Sequence, residues 1–150
     1  LRRTLASPKA GGLPGDAPEL PARNVSWAKA AAACAALGKR LPTELEWEAA
    51  ATTGSQELGP ASLMRGGKAV LTPSTSKDCS PRGLCDMLGS VLEWTSTDGV
   101  VRPQTKIVRG ASFTVSPSAG WQASIHFRLG VDERKGDPEV GVRCVKDVLP

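Results

Sequence analysis

The first apolar segment with a clear pattern runs from Trp27 to Leu37. It is rich in alanine, the residue with the highest helix propensity. Ser26 stands where its hydroxyl can cap the first turn, and Gly38 stands where a helix commonly ends. The pattern therefore predicts a helix from Trp27 to Leu37.

A second helix is predicted from Glu44 to about Thr52. Thr43 and Glu46 have the spacing of a capping box, in which each side chain accepts a hydrogen bond from the backbone N–H of the other residue. Gly54 is expected to stop the helix. Its inward face should consist of Leu45, Trp47 and Ala49 to Ala51.

Alternation of apolar and polar positions indicates two strands that pair antiparallel, Ile107 to Val115 and Val140 to Val145. Between them, Ser124 to Val131 reads either as a third strand or as an extended arm, and Asp132 to Glu139 as a charged turn region. Lys68 to Thr72 resembles a short strand within a loop that covers the rest of residues 54–78.

The amino-acid composition indicates that much of the chain forms loops and turns. The 150 residues include 16 Gly and 12 Pro but no Tyr. Seven of these turn formers fall within Leu1 to Ala22, which we read as an extended lead-in to one domain. We therefore predict a loop-rich α+β fold. No apolar run is long enough to span a bilayer, and Leu1 to Ala10 lacks a signal-peptide core, so we expect a mature, soluble segment.

The formal net charge of +4 does not indicate a nucleic-acid partner. The basic residues occur as singles and pairs among acids, without a basic stripe. Two Phe and four Trp also provide few rings on which bases could stack. The pairs are Arg2 with Arg3, Lys39 with Arg40, and Arg134 with Lys135.

The four cysteines lack the CxxC doublets of a zinc ribbon. Cys79 and Cys85 flank a turn-forming stretch that could bring them within bridging distance, which would leave Cys34 and Cys144 as the second pair. Two disulfides would place the protein in an oxidising compartment. The alternative is four buried, reduced thiols in a cytosolic protein.

Several motifs, in order along residues 24–145, resemble those of the formylglycine-generating enzyme, or sulfatase-modifying factor, family. They are Asn24-Val-Ser-Trp27, Gly38-Lys-Arg-Leu-Pro-Thr-Glu-Leu-Glu-Trp-Glu48, Gly83-Leu-Cys-Asp-Met-Leu-Gly-Ser-Val-Leu-Glu-Trp94, Arg109-Gly-Ala-Ser-Phe113 and Gly141-Val-Arg-Cys144. The resemblance implies a variant of the C-type lectin fold over residues 23–150. Members usually carry a longer segment before the first motif, so the chain is either a fragment or a version with a reduced N-terminal half.

The resemblance also implies a pattern of cysteine bridges. In the family the helix cysteine bonds the cysteine of the closing motif, which corresponds to Cys34 and Cys144. A further family bridge would fall on Ala51 and Ile125, so both of its partners are absent. Cys85 replaces an aromatic residue of the family motif, and Cys79 supplies a mate for it.

Catalytic chemistry is the part of the family pattern that the sequence lacks. The resembling oxidases hold copper through two cysteines and convert a substrate cysteine to formylglycine, and alignment places those positions at Val115 and Gly120. Neither side chain binds copper, and His126, the only histidine, cannot replace two thiolates. We predict no copper and no catalytic residue.

Other enzyme classes also lack their residues. The sequence has no GxSxG, HExxH or GxxxxGK[ST] motif. Glu44, Glu46 and Glu48 could be imagined as paired carboxylates, but one completes the capping box and the others favour the helix N-terminus.

Calcium is the metal that the resemblance does favour. The corresponding family segment binds structural calcium through Asp86, Glu93 and the backbone carbonyls of Gly89 and Val91, which supply hard oxygen ligands. The alternative is that Asp86 orders a turn and Glu93 pairs with an arginine such as Arg109 or Arg143.

Trp121 is the candidate ligand-binding residue, because it lies in the loop from Ser116 to Ser124 where active members bring their substrate. It could equally pack beneath its own loop, and the other three tryptophans are expected in the core. We predict a non-catalytic binding or structural module, outside the cytoplasm, with a protein partner or larger assembly. The alternatives are an enzyme with unmapped chemistry and a sensory domain of a larger protein.

Overall fold

A computed structural model describes residues 19–52, 71 and 83–148. Its elements, in chain order, are helices α1 (Trp27–Ala36) and α2 (Glu44–Thr52), strands β1 (Leu92–Asp98) and β2 (Thr105–Arg109), a 3-10 helix (Gly120–Ala123), and strands β3 (Arg128–Asp132) and β4 (Val140–Gly141). The strands form one mixed sheet in the order β3-β2-β1-β4. The domain is therefore α+β, as predicted. Most of the lead-in, most of the segment from Lys68 to Thr72, and Cys79 lie outside the described residues.

Helix α1 begins where the sequence predicts and ends one residue earlier. The Ser26 hydroxyl accepts a hydrogen bond from the backbone N–H of Lys29 at 3.5 Å. At the other end Gly38 adopts a positive φ of 64°, which suits glycine because it has no Cβ. Its N–H donates to the carbonyl of Ala35, so the helix is closed at both ends by local contacts.

Helix α2 has the predicted bounds, and both halves of the capping box form. The Thr43 N–H donates to Glu46 Oε2 at 2.8 Å, and the Glu46 N–H donates to Thr43 Oγ1 at 3.2 Å. Trp47 and Ala51 are buried, as expected for residues one turn apart. The prediction was wrong for Leu45, which is 75% exposed, and for Ala49, which is also exposed. Each lies two residues from Trp47 and so points to the opposite side of the helix.

The strands differ more from the prediction. Strand β2 ends at Arg109 instead of reaching Val115, because Gly110 turns the chain with a φ of 84°. A Cβ there would also lie 3.1 Å from the carbonyl oxygen of Met87, so the positive φ and this close contact both favour glycine. Strand β1 was not predicted at all, although it is the longest strand and pairs antiparallel with β2.

The closing motif forms much less sheet than expected. Strand β4 contains two residues, and it pairs parallel with β1 through Leu92 and Glu93, so the antiparallel prediction was wrong for this strand. Val145 instead forms an isolated bridge with Arg40. The possible third strand within residues 124–131 exists as β3, which begins at Arg128 and pairs antiparallel with β2.

The main core lies between α1 and the sheet and is closed by a disulfide. Cys34 of α1 bonds Cys144, with the two Cα atoms 5.5 Å apart, and both side chains are buried. This is the pair that the family resemblance implies. Trp94 and Val108 fill the centre of the same cluster and are fully buried. Cys85 is also disulfide-bonded.

Trp27 is only half-buried, so the expectation of a core residue was correct in part. Its indole Nε1–H donates to the carbonyl of Thr95 at 2.8 Å, and the Lys106 ammonium lies 4.3 Å from its ring centroid. Within the described residues, neither helix has the length and apolarity that crossing a membrane requires.

The capping box generates a prediction for the pH dependence of stability. Hydrogen bonds from Arg40, with further contributions from Thr43, lower the pKa of Glu46 from 4.5 to about 2. A carboxylate with a lowered pKa stabilises the folded state above its unfolded pKa, and this contribution is lost as the pH falls towards the folded pKa. We expect wild type to melt above E46Q at pH 6, and the difference to shrink between pH 4.5 and 2.

Thermal melts monitored by circular dichroism across that range provide the measurement. The exposed Glu19 supplies a control, because E19Q should melt like wild type at every pH. A difference between wild type and E46Q that is constant from pH 6 to pH 2 would show that the charge of Glu46 does not stabilise the fold.

Candidate functional site

A buried carboxylate joins three parts of the fold. Glu93 of β1 is 5% exposed and accepts hydrogen bonds at Oε2 from Trp47 Nε1 at 2.7 Å and from Arg143 Nε at 2.8 Å. Arg143 Nη2 donates to Glu93 Oε1 at 2.7 Å. Burial alone would lower the pKa of Arg143, but the charge and hydrogen bonds of Glu93 raise it above its ordinary value. Arg143 is therefore a buried cation held beside the Glu93 carboxylate.

The loop before β1 is where the sequence suggests calcium. Asp86, Gly89 and Ser90 all have positive φ angles, so the loop turns tightly. Arg143 also donates to the carbonyl of Cys85 at 2.8 Å, and the charge of Asp86 acts on the same guanidinium. The residues fit calcium only in part. Asp86 and Glu93 supply carboxylate oxygens as metal ligands, but the Glu93 carboxylate is already paired with Arg143.

Of the two arginines suggested as partners for Glu93, the structure selects Arg143. Arg109 has other partners: it donates to Glu48 through a short contact and lies 3.6 Å from Glu44. Arg128 also pairs with Glu44, at 2.8 Å, and His126 lies 3.4 Å from Glu48. Glu44 and Glu48 thus belong to ion pairs with Arg109 and Arg128 that attach α2 to the sheet.

These ion pairs lie where the family's further disulfide is absent. Ala51 is buried in a cluster with Trp47 and Met87, and Ile125 packs against that cluster. Arg109 Nη2 also donates to the Ile125 carbonyl at 3.2 Å. Apolar packing and the Arg109 hydrogen bonds therefore connect the two segments that a bridge would have joined.

The two positions that the family resemblance aligns with copper thiolates are Val115 and Gly120. Val115 is half-buried and packs against Leu88 and Ala111. Gly120 is exposed, with a φ of 60°, and begins the 3-10 helix. An aliphatic side chain and a glycine offer no donor to Cu(I), so the residues present do not fit the metal. Among residues 19–52, 71 and 83–148, no three His, Cys, Asp or Glu side chains are grouped as a metal site would require.

A cavity of about 460 Å³ lies beside Val115, with a polar cluster in its wall. The hydroxyls of Ser112 and Thr114 donate to Glu139 Oε2 at 2.5 and 2.6 Å. Ser112 is fully buried, and the N–H of Phe113 donates to the carbonyl of Ser90 at 2.8 Å. The Arg109–Phe113 motif therefore connects the cavity wall, through Phe113, to the loop that precedes β1.

Trp121 flanks this cavity and does not line it. Its side chain is 57% exposed and meets Phe127 edge-to-face, with ring centroids 6.2 Å apart. Phe127 does line the cavity. Sequence reasoning missed Glu139, which it placed in a charged turn region, because nothing in the local pattern brings that residue to Ser112.

The helix pair, the mixed sheet and the Cys34–Cys144 bridge define a domain of the formylglycine-generating-enzyme-like class, within the C-type-lectin-like folds. The family model of the sulfatase-modifying factor enzyme 1-like domain matches residues 9–148. The chain belongs to this family.

Individual relatives agree with this assignment. A mouse (Mus musculus) protein named inactive C-alpha-formylglycine-generating enzyme 2 is 34% identical over 150 residues, which cover 84% of this chain and 49% of that protein. The chain thus spans about half the length of this relative. The structure of CarF superposes with a TM-score of 0.74 at 22% identity, covering 89% of this chain and 70% of that one.

A third relative is named as a protein kinase. The serine/threonine-protein kinase pkn1 of Chlamydia caviae is 38% identical over 81 residues, which are 49% of this chain and 13% of the kinase. A segment similar to half of this chain therefore occurs within a much longer protein.

Calcium binding at the loop of residues 86–93 stays a prediction, and the structure indicates that the affinity for calcium is low. Because Arg143 is held next to Glu93, a calcium ion would compete with an existing positive charge, and we expect binding only at about millimolar calcium, the range of weak extracellular modules. Millimolar CaCl2 should then raise the melting temperature above its value in EDTA, and D86A should remove the increase.

Magnesium chloride at equal ionic strength is the control for a general salt effect. E19Q should respond to calcium as wild type does, because this glutamate is exposed and distant in sequence from the loop. Equal melting temperatures in millimolar calcium and in EDTA would rule out the site.

Proposed function

We propose that this chain is a non-catalytic binding module that works outside the cytoplasm on a formylglycine-generating-enzyme-like scaffold. The observation that carries the proposal is the pair Val115 and Gly120 at the two thiolate positions. The scaffold around them is intact: both motifs that flank these positions form their contacts, through Ser112 to Glu139 and through Glu93 to Arg143.

The comparisons support the same proposal. The mouse relative, which aligns with most of this chain, is named an inactive enzyme. The wall beside Val115 also has the features of a binding site: apolar side chains surround a few polar groups that can orient a ligand. Trp121 stands at the edge of this cavity as an exposed aromatic surface for a ligand or partner.

The cysteines support a location outside the cytoplasm. Cys34 and Cys144 are bonded, and Cys85 is also in a disulfide. Disulfides persist in oxidising compartments and are rare where thioredoxin and glutathione keep thiols reduced. We further propose that the chain acts with a protein partner or within a larger assembly, for which the exposed Trp121 offers a contact surface.

A second candidate is a sensory domain of a larger signalling protein. The similarity to part of the Chlamydia caviae kinase favours it, because the matching segment is a small part of that kinase. Both candidates, the binding module and the sensory domain, use a non-catalytic binding site. They differ in whether the domain belongs to a signalling protein. The third possibility is an enzyme with unmapped chemistry.

The direct test is an oxidase assay. Purified protein is loaded with Cu(I) and incubated in air with a peptide that contains a sulfatase-type cysteine, and mass spectrometry follows conversion of the cysteine to formylglycine. We expect no conversion above a copper-only blank, because neither Val115 nor Gly120 supplies a thiolate.

An active formylglycine-generating enzyme, treated in parallel, serves as the positive control. Copper-dependent product from this chain, absent from the blank and lost when a Cu(I) chelator is added, would refute the non-catalytic proposal.

A further inference from the structure

We infer that the cavity beside Val115 binds a primary alkylammonium group, with the Glu139 carboxylate as its charge partner. This inference rests on the proposed function, because it names the ligand class of the proposed binding site. It is carried by three features of the cavity: an uncompensated carboxylate, the hydrogen bonds that orient that carboxylate, and walls that fit an alkyl chain.

Glu139 differs from the other glutamates that are buried or half-buried. Each of the others forms an ion pair with an arginine or lysine within the described residues, and they are Glu44, Glu46, Glu48, Glu93 and Glu133. Glu139 has no such cation in the described part of the chain; its partners there are two hydroxyls. A half-buried carboxylate without a counter-ion attracts a cation that is brought into the same cavity.

The hydrogen bonds favour an ammonium over a guanidinium. Both hydroxyl donors, Ser112 Oγ and Thr114 Oγ1, reach the same oxygen, Glu139 Oε2. Oε1 accepts no hydrogen bond from the described residues, so one oxygen is left for a ligand. A guanidinium prefers to engage both oxygens of a carboxylate at once, whereas an ammonium binds as a point charge.

The walls of the cavity favour an alkyl chain next to the charge. Leu92, Val115, Phe127 and Leu129 line it together with Glu139. Its volume of about 460 Å³ falls within the range of small-molecule sites. Methylene groups of a ligand would therefore contact these side chains while its ammonium reaches the carboxylate.

An alkylammonium could come from a free amine or from a lysine side chain of a partner, and the experiment includes both. Nitrogen-15 correlation spectra of the full chain are recorded during titration with n-hexylammonium chloride and, separately, with Nα-acetyl-lysine methylamide. The matched ligands are hexanol and the Nε-acetylated form of the lysine compound, which keep the chain and lack the charge.

Two variants test the site. E139Q keeps the oxygen that accepts from Ser112 and Thr114 but removes the charge, and its spectrum also reports whether it folds. V115F keeps the Glu139 charge and fills the cavity. If both variants lose binding, the assignment of the site does not rest on one variant alone. E19Q repeats the amide change at an exposed glutamate and should bind as wild type does.

We expect the n-hexylammonium titration to shift the amides of Ser112 to Val115 and of Phe127. Hexanol should bind about tenfold more weakly or worse, and E139Q should lose about tenfold or more in affinity for n-hexylammonium, as for a charge-assisted hydrogen bond. Shifts with the lysine compound as well would support the inference and identify a partner's side chain as a source; shifts with n-hexylammonium alone would support it for a free amine.

Equal binding of hexanol and n-hexylammonium, unchanged affinity in E139Q, or no shifts with either amine would overturn the inference. None of these outcomes measures copper-dependent oxidation. The ligand class can therefore fail while the non-catalytic function stands, and formylglycine formation would refute that function whatever the amines do.

Discussion

The fold depends on the contact of Glu93 with Trp47 and Arg143. A carboxylate that is 5% exposed would be unfavourable in the core without these partners, since each charge taken out of water costs several kcal/mol. Trp47 comes from α2, Glu93 from β1 and Arg143 from the segment after β4, so one carboxylate fixes three parts of the chain relative to each other. Arg143 precedes Cys144, whose disulfide attaches the same segment to α1. Neither Val115 nor Gly120 takes part in these two contacts.

The contacts that hold the framework are separate from the two positions that the resemblance assigns to catalysis. Val115 and Gly120 lie in the segment after Gly110, beyond the last strand residue of β2, and the ion pairs of Glu93 and Arg109 do not involve them. Neither side chain contributes to these ion pairs, so a change at either position leaves the pairs in place. The cavity that remains keeps its polar wall, because Ser112 is buried and bonded to Glu139. A binding site in the same place therefore requires no new fold.

Local signals predicted the helices well and the sheet poorly. Helix α2 was correctly bounded because its capping box is formed by neighbours in the sequence, whereas β1 was missed because its first residues, from Leu92 to Thr95, are buried on both faces and show no alternation. The Cys34–Cys144 disulfide was expected both from the spacing of the four cysteines and from the family resemblance. Glu139 could not be found in this way: its role depends on contact with Ser112, 27 residues earlier in the chain, and no spacing rule connects them.

A double-mutant cycle on Glu93 and Arg143 tests most directly whether this pair holds the framework. The free energy of unfolding is measured by denaturant titration for wild type, E93Q, R143M and the double variant. Each single variant should lose about 3 to 5 kcal/mol, because it leaves a buried charge without its partner. The double variant should lose at least about 1 kcal/mol less than the sum of the two. Single losses below about 1 kcal/mol that add within about 0.5 kcal/mol would contradict the central role of this pair.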